Sequence, residues 1–124
     1  MANFDFTAIA KQFVEFYYQT FDNGRAGLAP LYRETSMLTF EGSTTQGGQN
    51  IIEKLAGLPF QKVQHQVSTL DAQPTILPGG IAVMVTGALL TDDEAKPLSF
   101  TQMFQLVLDN GTYYVYNDVF RLVY

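Results

Sequence analysis

Three adjacent acids, Asp92, Asp93 and Glu94, lie between two strongly apolar runs of the chain. A short acidic turn is ordinarily a solvated hairpin loop, because repulsion between its charges is weak in water. Such a turn can hold a cationic partner if another acid converges on it from elsewhere. Glu41, which follows the run MLTF and precedes Gly42, is the candidate for that acid. The alternative is that Glu41 is an ordinary exposed residue at a strand end.

Asp118 and His65 are the other residues whose types suggest chemistry. Asp118 stands inside an apolar strand pattern, and a buried carboxylate needs hydrogen-bond donors or a raised pKa. We favour a structural acceptor over a general base for it. His65 alternates with Val63 and Val67, which favours a hydrogen-bonded core residue over a site residue.

The balance of charge narrows the possible partners. Twelve acidic residues oppose seven basic ones, so the formal net charge is -5. This surface disfavours nucleic acid and anionic membrane, and it favours a basic protein. There is no cysteine, and the single histidine predicts no histidine-rich metal site. We expect neither a metal nor a cofactor, and an intracellular protein without a signal peptide or membrane insertion.

Three helical segments precede the four long strand runs of the second half of the chain. The run FDFTAIAKQFVEFYYQTF predicts an amphipathic helix, which Asp5 or Thr7 caps, with an apolar stripe of Phe6, Ile9, Ala10, Phe13, Val14, Phe16, Tyr17 and Phe21. The runs RAGLAPLY and GGQNIIEKLAGLPF predict two shorter helices, and SMLTFEG predicts a brief strand between them. The first helix needs a large apolar surface to cover it, which indicates a sheet.

Four long runs rich in Val, Thr, Tyr and Phe follow, separated by turn sequences that include Asn110-Gly111. Without helix-length connections between them, these strands predict an antiparallel meander. The fold class is therefore α+β: a curved antiparallel sheet wrapped over N-terminal helices, in a single domain over residues 1–124. The last two strands are apolar on both faces, with Phe120 assigned to one face and Val119 to the other. The helices cover only one face of the sheet, and the other face is too apolar to be left exposed to water. This predicts a homodimer through the sheet.

A curved sheet closed by helices at one end commonly leaves a concave apolar mouth. The candidate wall residues are Phe40, Leu58, Phe60, Met84, Val119 and Phe120. The alternative is plain core packing.

Several stretches along residues 4–124 together resemble the nuclear transport factor 2 family, most closely its fungal members: FVEFYYQTFDNGR, LYRETSMLTFEG, LPFQKVQH, GALLTDDE and NDVFRL. The resemblance implies a cone-shaped fold, also called cystatin-like, that dimerises through its sheet. It also implies a carrier, not an enzyme, that works between cytoplasm, nuclear pore and nucleus. Such a carrier binds the GTPase Ran in its GDP state, and takes an aromatic side chain of Ran's switch II region into the cavity.

By motif position, the resemblance assigns an acidic rim for basic residues of Ran to Glu41, Asp92 and Glu94. It assigns the cavity to Phe40, Leu58, Phe60, Met84, Val119 and Phe120, with His65 nearby. Phe6, assisted by Phe4, matches a separate surface that binds Phe-x-Phe-Gly repeats of nucleoporins. The alternative is an isomerase or dehydratase, since ketosteroid isomerase and scytalone dehydratase use the same cone as an active site. In that case Asp118 is the base, and Tyr17 or His65 is the acid.

Overall fold

A computed structural model describes residues 4–92 and 96–123. Over these ranges the chain forms, in order, α1 (Phe6–Asn23), a 3-10 helix (Arg25–Leu31), β1 (Tyr32–Phe40), β2 (Ser43–Gln46), α2 (Gly48–Ala56), β3 (Val63–Pro74), β4 (Ile81–Thr91), β5 (Leu98–Asp109) and β6 (Thr112–Leu122). The α+β class is confirmed, with the helices packed on one side of a curved sheet. None of the described helices is both long and apolar enough to cross a lipid bilayer.

The first helix begins at the predicted cap. The side chain of Asp5 accepts a hydrogen bond from the backbone N–H of Ala8 at 3.1 Å, which satisfies one of the unpaired donors of the first turn. Most of the predicted stripe faces the sheet, but Phe16 is 54% exposed, and Tyr18 is buried in its place. The stripe was therefore wrong at one position, because aromatic residues occupy three successive positions there and periodicity alone does not rank them.

The six strands form one sheet in the order β2-β1-β6-β5-β4-β3. The meander from β3 to β6 is antiparallel, as predicted. The pairing of β1 with β6 is parallel, so the sheet is mixed. The sequence offers no local signal for this contact, because the two strands are far apart along the chain.

Strand β2 is a short polar edge strand that the sequence analysis missed. It pairs with β1 through a two-residue turn in which Glu41 and Gly42 have φ values of 51° and 85°. Positive φ at both central residues is the turn geometry that matches the twist of a hairpin. The turn therefore sets the direction in which Glu41 leaves the strand.

A β-bulge in β6 decides which side chains face the helices. Gln105 of β5 pairs with Asn117 and Leu106 pairs with Val115, so Tyr116 has no partner in the register. One extra residue reverses the side on which every later side chain lies. Val115 and Phe120 consequently both point into the core, although the alternating pattern assigned them to opposite faces.

Candidate binding cavity and its rim

An apolar cavity of about 260 Å³ opens at the concave side of the sheet. Its wall comes from α1, α2 and the segment that follows α2, and from strands β1, β3, β4, β5 and β6. The structure places several of the predicted residues in this wall: Phe40, Leu58, Phe60, His65 and Phe120. The interior is therefore not filled by the protein's own side chains, in contrast to plain core packing.

Met84 and Val119 do not line this cavity, and their assignment to it was wrong. Met84 is 50% exposed and Val119 is 40% exposed. Both lie on the opposite face of the sheet, where Met84 pairs with Met103 and Met103 pairs with Val119. For Val119 the cause is the alternation of β6, because its neighbour Phe120 takes the cavity side. For Met84 it is the alternation of β4, whose buried residues are Val83 and Val85.

Aromatic rings form one side of the mouth. Phe40 and Phe120 stack with centroids 4.7 Å apart and planes 5° from parallel, and Phe100 lies behind Phe120 at 5.5 Å. On the other side, the guanidinium of Arg25 lies 5.1 Å from the ring centroid of Phe60 and donates to its backbone carbonyl at 2.8 Å. Arg25 thus holds the segment that carries Leu58 and Phe60, a contact that the sequence did not suggest.

Glu41 lies beside the mouth, directly after Phe40. Its carboxylate accepts a hydrogen bond from the backbone N–H of Leu122, another wall residue. Its own N–H donates to the carbonyl of Phe120 at 3.0 Å. These contacts and the tight turn hold the carboxylate at the edge of the cavity, with little rotational freedom left to lose on binding.

Asp92 lies at the same end of the sheet, directly after the wall residue Thr91. Its side chain accepts from the backbone N–H groups of Lys62 at 2.9 Å and Gln61 at 3.0 Å. These two donors lower the pKa of Asp92, so the exposed group is ionised at neutral pH. Glu94, the third predicted rim acid, lies outside the described residues, as does Asp93.

The floor of the cavity is a buried polar cluster around Asp118. One carboxylate oxygen accepts from Gln102 Nε2 at 2.8 Å, and the other accepts from the hydroxyl groups of Tyr32 at 2.8 Å and Tyr17 at 3.3 Å. Burial raises the pKa of Asp118 to about 6, and the three donors oppose that rise. Burial also raises the pKa of both tyrosines well above the ordinary value. The cluster ties α1, β1, β5 and β6 together.

His65 combines two roles that the sequence analysis treated as alternatives. Its Nδ1 lies 2.6 Å from Asp22 Oδ1, and its backbone N–H donates to Asp22 Oδ2 at 2.9 Å. Its ring stacks on Tyr18 with centroids 4.3 Å apart. The side chain is only 3% exposed, yet it also lines the cavity. It is therefore a hydrogen-bonded core residue that presents one edge to the site.

Phe4 and Phe6 lie away from the cavity, at the start of α1. Phe4 is 39% exposed. The ring of Phe6 packs partly against the core, 5.9 Å from the ring of Phe4. The two rings form a small apolar patch on the surface.

Sequence reasoning missed several wall residues and the partner of His65. Leu98 and Leu122 line the cavity but were not among the predicted wall residues. Asp22 lies 43 residues before His65 in the chain, so no local pattern indicates their contact. A usable signal existed for the floor, since Gln102 interrupts an inward apolar row and Asp118 interrupts the neighbouring strand.

A curved mixed sheet over helices, with an open apolar cavity on its concave side, defines a cone-shaped α+β protein with a binding site. The sequence pattern of the Nuclear transport factor 2 (NTF2) domain matches residues 9–122, and the chain belongs to this family. It is 69% identical over 121 residues to "Nuclear transport factor 2" of Emericella nidulans, with 97% of each chain covered.

Solved structures agree with this membership. Nuclear transport factor 2 from Cryptosporidium parvum superimposes with a TM-score of 0.90 at 44% identity, covering 95% of this chain and 94% of that one. A hexachlorocyclohexane dehydrochlorinase from Novosphingobium barchaimii superimposes with a TM-score of 0.78 at 13% identity, covering 95% and 86%. This second likeness shows only that the fold is shared with enzymes.

Proposed function

We propose that this chain is a non-enzymatic nuclear import carrier that binds Ran in its GDP state. The observation that carries the proposal is an open apolar cavity of about 260 Å³ flanked by two held carboxylates, Glu41 and Asp92, in a chain of this family. An aromatic side chain of the partner enters the cavity, and basic residues around it pair with the rim.

The energetics suit a reversible carrier. Burying one aromatic side chain contributes on the order of 2–3 kcal/mol. In the described part of the chain, neither Glu41 nor Asp92 forms an ion pair with a base of its own. Both are therefore available to a cationic partner, for which they add orientation and selectivity. Glu94 belongs to the same proposed rim. The preference for GDP originates in Ran, if switch II presents its aromatic residue only in that state.

The outer face of the sheet is proposed as a homodimer interface. Met84, Met103 and Val119 lie side by side across β4, β5 and β6, and each is at least 38% exposed. An apolar row of this kind in the middle of a sheet is typically covered by another molecule, and a second copy is the simplest cover. A monomer mass in sedimentation equilibrium at micromolar concentration would contradict the dimer.

Phe6 and Phe4 are proposed as a separate, weak contact for Phe-x-Phe-Gly repeats of nucleoporins. The patch is small, so single contacts exchange quickly, and two copies in a dimer add avidity. The carrier then moves between cytoplasm, nuclear envelope and nucleus. Phe6→Ala should weaken repeat binding several-fold and leave Ran-GDP binding unchanged, as measured by titration with a repeat peptide and with Ran-GDP. An equal loss of affinity for the repeat peptide and for Ran-GDP would show that the two sites are not separate.

The isomerase or dehydratase alternative is weaker on physical grounds. It needs Asp118 as a base, but this carboxyl is 0% exposed, and both of its oxygens already accept hydrogen bonds. A base engaged by three donors is poorly placed to take a proton from a substrate.

The decisive experiment is calorimetric titration of the protein with Ran-GDP and, in parallel, with Ran-GTP. The proposal expects saturable binding of the GDP form and at least tenfold weaker binding of the GTP form. Equal affinity for both forms, or no binding of either, would refute it.

A further inference from the structure

The polar groups at the cavity floor satisfy one another. Gln102 donates to Asp118 and accepts from the Tyr18 hydroxyl at 2.7 Å. The hydroxyl groups of Tyr17 and Tyr32 lie 2.6 Å apart, and both reach Asp118. Each of these side-chain groups therefore already has at least one partner within the cluster.

His65 differs from the floor, because one of its ring nitrogens remains available. A carboxylate only accepts hydrogen bonds, so Nδ1 of His65 carries the proton that it shares with Asp22. In the neutral ring Nε2 is then an acceptor. Within residues 4–92 and 96–123, Nε2 has no hydrogen-bond partner. It is also not one of the fully buried polar atoms that lack a partner, so it keeps some accessible surface. His65 lines the cavity, and we infer that Nε2 is the atom that it presents there.

Most of the remaining wall is apolar, and the space is the right size for a small ring system. A cavity of roughly 150 Å³ lined by aliphatic and aromatic side chains is enough to bind benzene. This cavity is larger, at about 260 Å³. The stacked rings of Phe40 and Phe120 provide a flat surface on one side. A bicyclic arene therefore fits by size and by shape.

We propose that the cavity is also a receptor site for a small, flat, neutral molecule with one hydroxyl donor, of the phenol or naphthol class, whose hydroxyl donates to Nε2 of His65. A neutral ligand is favoured because the carboxylates of Glu41 and Asp92 lie beside the mouth, where they repel an anion. When bound, the ligand occupies the space that the partner's aromatic side chain needs. This competition rests on the proposed function, whereas the ligand site itself does not.

The test compares 2-naphthol with 2-methoxynaphthalene, which has the same ring but no hydroxyl donor. The binding of each is followed by ligand fluorescence with the tag-free protein. One additional hydrogen bond predicts about tenfold tighter binding of 2-naphthol. His65→Phe keeps a ring against Tyr18 but removes the nitrogen, and should reduce the preference to about twofold or less. Equal affinity of the two ligands for the native protein, or a preference that survives in His65→Phe, would overturn the proposal.

Thr91 provides the matched control. Thr91 also lines the wall and carries a hydroxyl group. Thr91→Val removes this hydroxyl with almost no change of shape, and should leave the tenfold preference intact. Loss of the preference in Thr91→Val, with retention in His65→Phe, would place the anchor at the mouth and refute the assignment to His65.

A second measurement does not depend on the folding of a variant. His65 is the single histidine of the chain, so its imidazole ¹⁵N signals need no assignment. Saturation with 2-naphthol should shift the Nε2 signal and leave Nδ1 nearly unchanged, while 2-methoxynaphthalene should shift neither. An unchanged Nε2 signal at saturation would overturn the proposal.

Competition separates this inference from the proposed carrier function. Saturating 2-naphthol should weaken Ran-GDP binding about tenfold or more. If Ran-GDP binds but naphthol does not, only the ligand site fails. If naphthol binds with the expected preference but Ran-GDP does not bind, only the carrier function fails.

Discussion

The floor and the mouth of the cavity are built on opposite principles. At the floor, Asp118 and its neighbours are polar and fully buried, and every charged or polar atom has a partner. At the mouth, Leu58, Phe60 and Leu98 are apolar and partly exposed to solvent. The residues that looked most catalytic in the sequence are therefore the most structural ones, and the apolar residues with unburied surface mark the site.

The polar floor and the apolar mouth contribute differently to folding and to binding. A polar cluster whose groups are bonded to one another stabilises one arrangement of helices and strands. An apolar surface that is still exposed to water contributes to binding free energy when a partner covers it. Variants of the mouth should thus affect binding more than folding, and variants of the floor should do the reverse.

The largest effect is expected at the mouth's acidic rim. Glu41→Lys should weaken Ran-GDP binding at least 100-fold, or about 3 kcal/mol, because it places a cation against the partner's basic residues. Glu41→Gln keeps the acceptor for the Leu122 amide and removes only the charge, so a loss nearer tenfold is expected. Calorimetry measures both.

Glu34→Lys is the matched control, since Glu34 is an exposed acid on the same strand, β1, and is not in the cavity wall. It should bind Ran-GDP within about twofold of the unmodified protein. Native-like affinity in Glu41→Lys would remove Glu41 from the rim.

The next largest effect concerns the floor. Asp118→Ala leaves the Gln102 amide and a tyrosine hydroxyl buried without their acceptor, which should lower the free energy of unfolding by about 3 kcal/mol. Urea denaturation at fixed protein concentration measures the change. Asp109→Ala, the same truncation at an exposed position, should change stability by less than about 0.5 kcal/mol. Similar small losses in both variants would show that the floor is not a stabilising cluster.

The pH dependence of stability also tests the role of Asp118 at the floor. The native pKa of Asp118 is raised from 3.8 to about 6, so the native state binds this proton more tightly than the unfolded chain does. The resulting stabilisation is complete below about pH 4 and is lost as the pH rises through 6. About 2–3 kcal/mol should therefore disappear between pH 4 and pH 7. Asp118→Asn should lack this component when the two proteins are compared by denaturation across the range. Parallel pH profiles would refute the raised pKa.

The smallest effect on folding is expected from truncation at the mouth. Leu98 lines the cavity but is 38% exposed, whereas Leu38 lines it at 1% exposure. Leu98→Ala should cost less than about 1 kcal/mol of stability, and Leu38→Ala about 2–5 kcal/mol. Ran-GDP affinity should nevertheless fall in Leu98→Ala. A stability loss in Leu98→Ala as large as that in Leu38→Ala would make the mouth part of the ordinary core.

Some local elements could be predicted from the sequence and others could not. The helix capped by Asp5 and the hairpin at Asn110-Gly111 were predicted because their signals lie within a few residues of one another. Strand β2 was missed because it is short and polar, and its turn begins with a glutamate at positive φ. The exposure of Phe16 was missed because periodicity does not separate neighbouring aromatic residues.

The sequence by itself determined the α+β class, the family and five residues of the cavity wall, because these depend on local periodicity, turn chemistry and specific motifs. Tertiary structure decided the face on which Val119 lies, the pairing of Asp22 with His65, and the parallel contact of β1 with β6. The reason is that a one-residue bulge or a long-range strand pairing is selected by the packing of the whole sheet against α1. No interaction between neighbours in the chain specifies it.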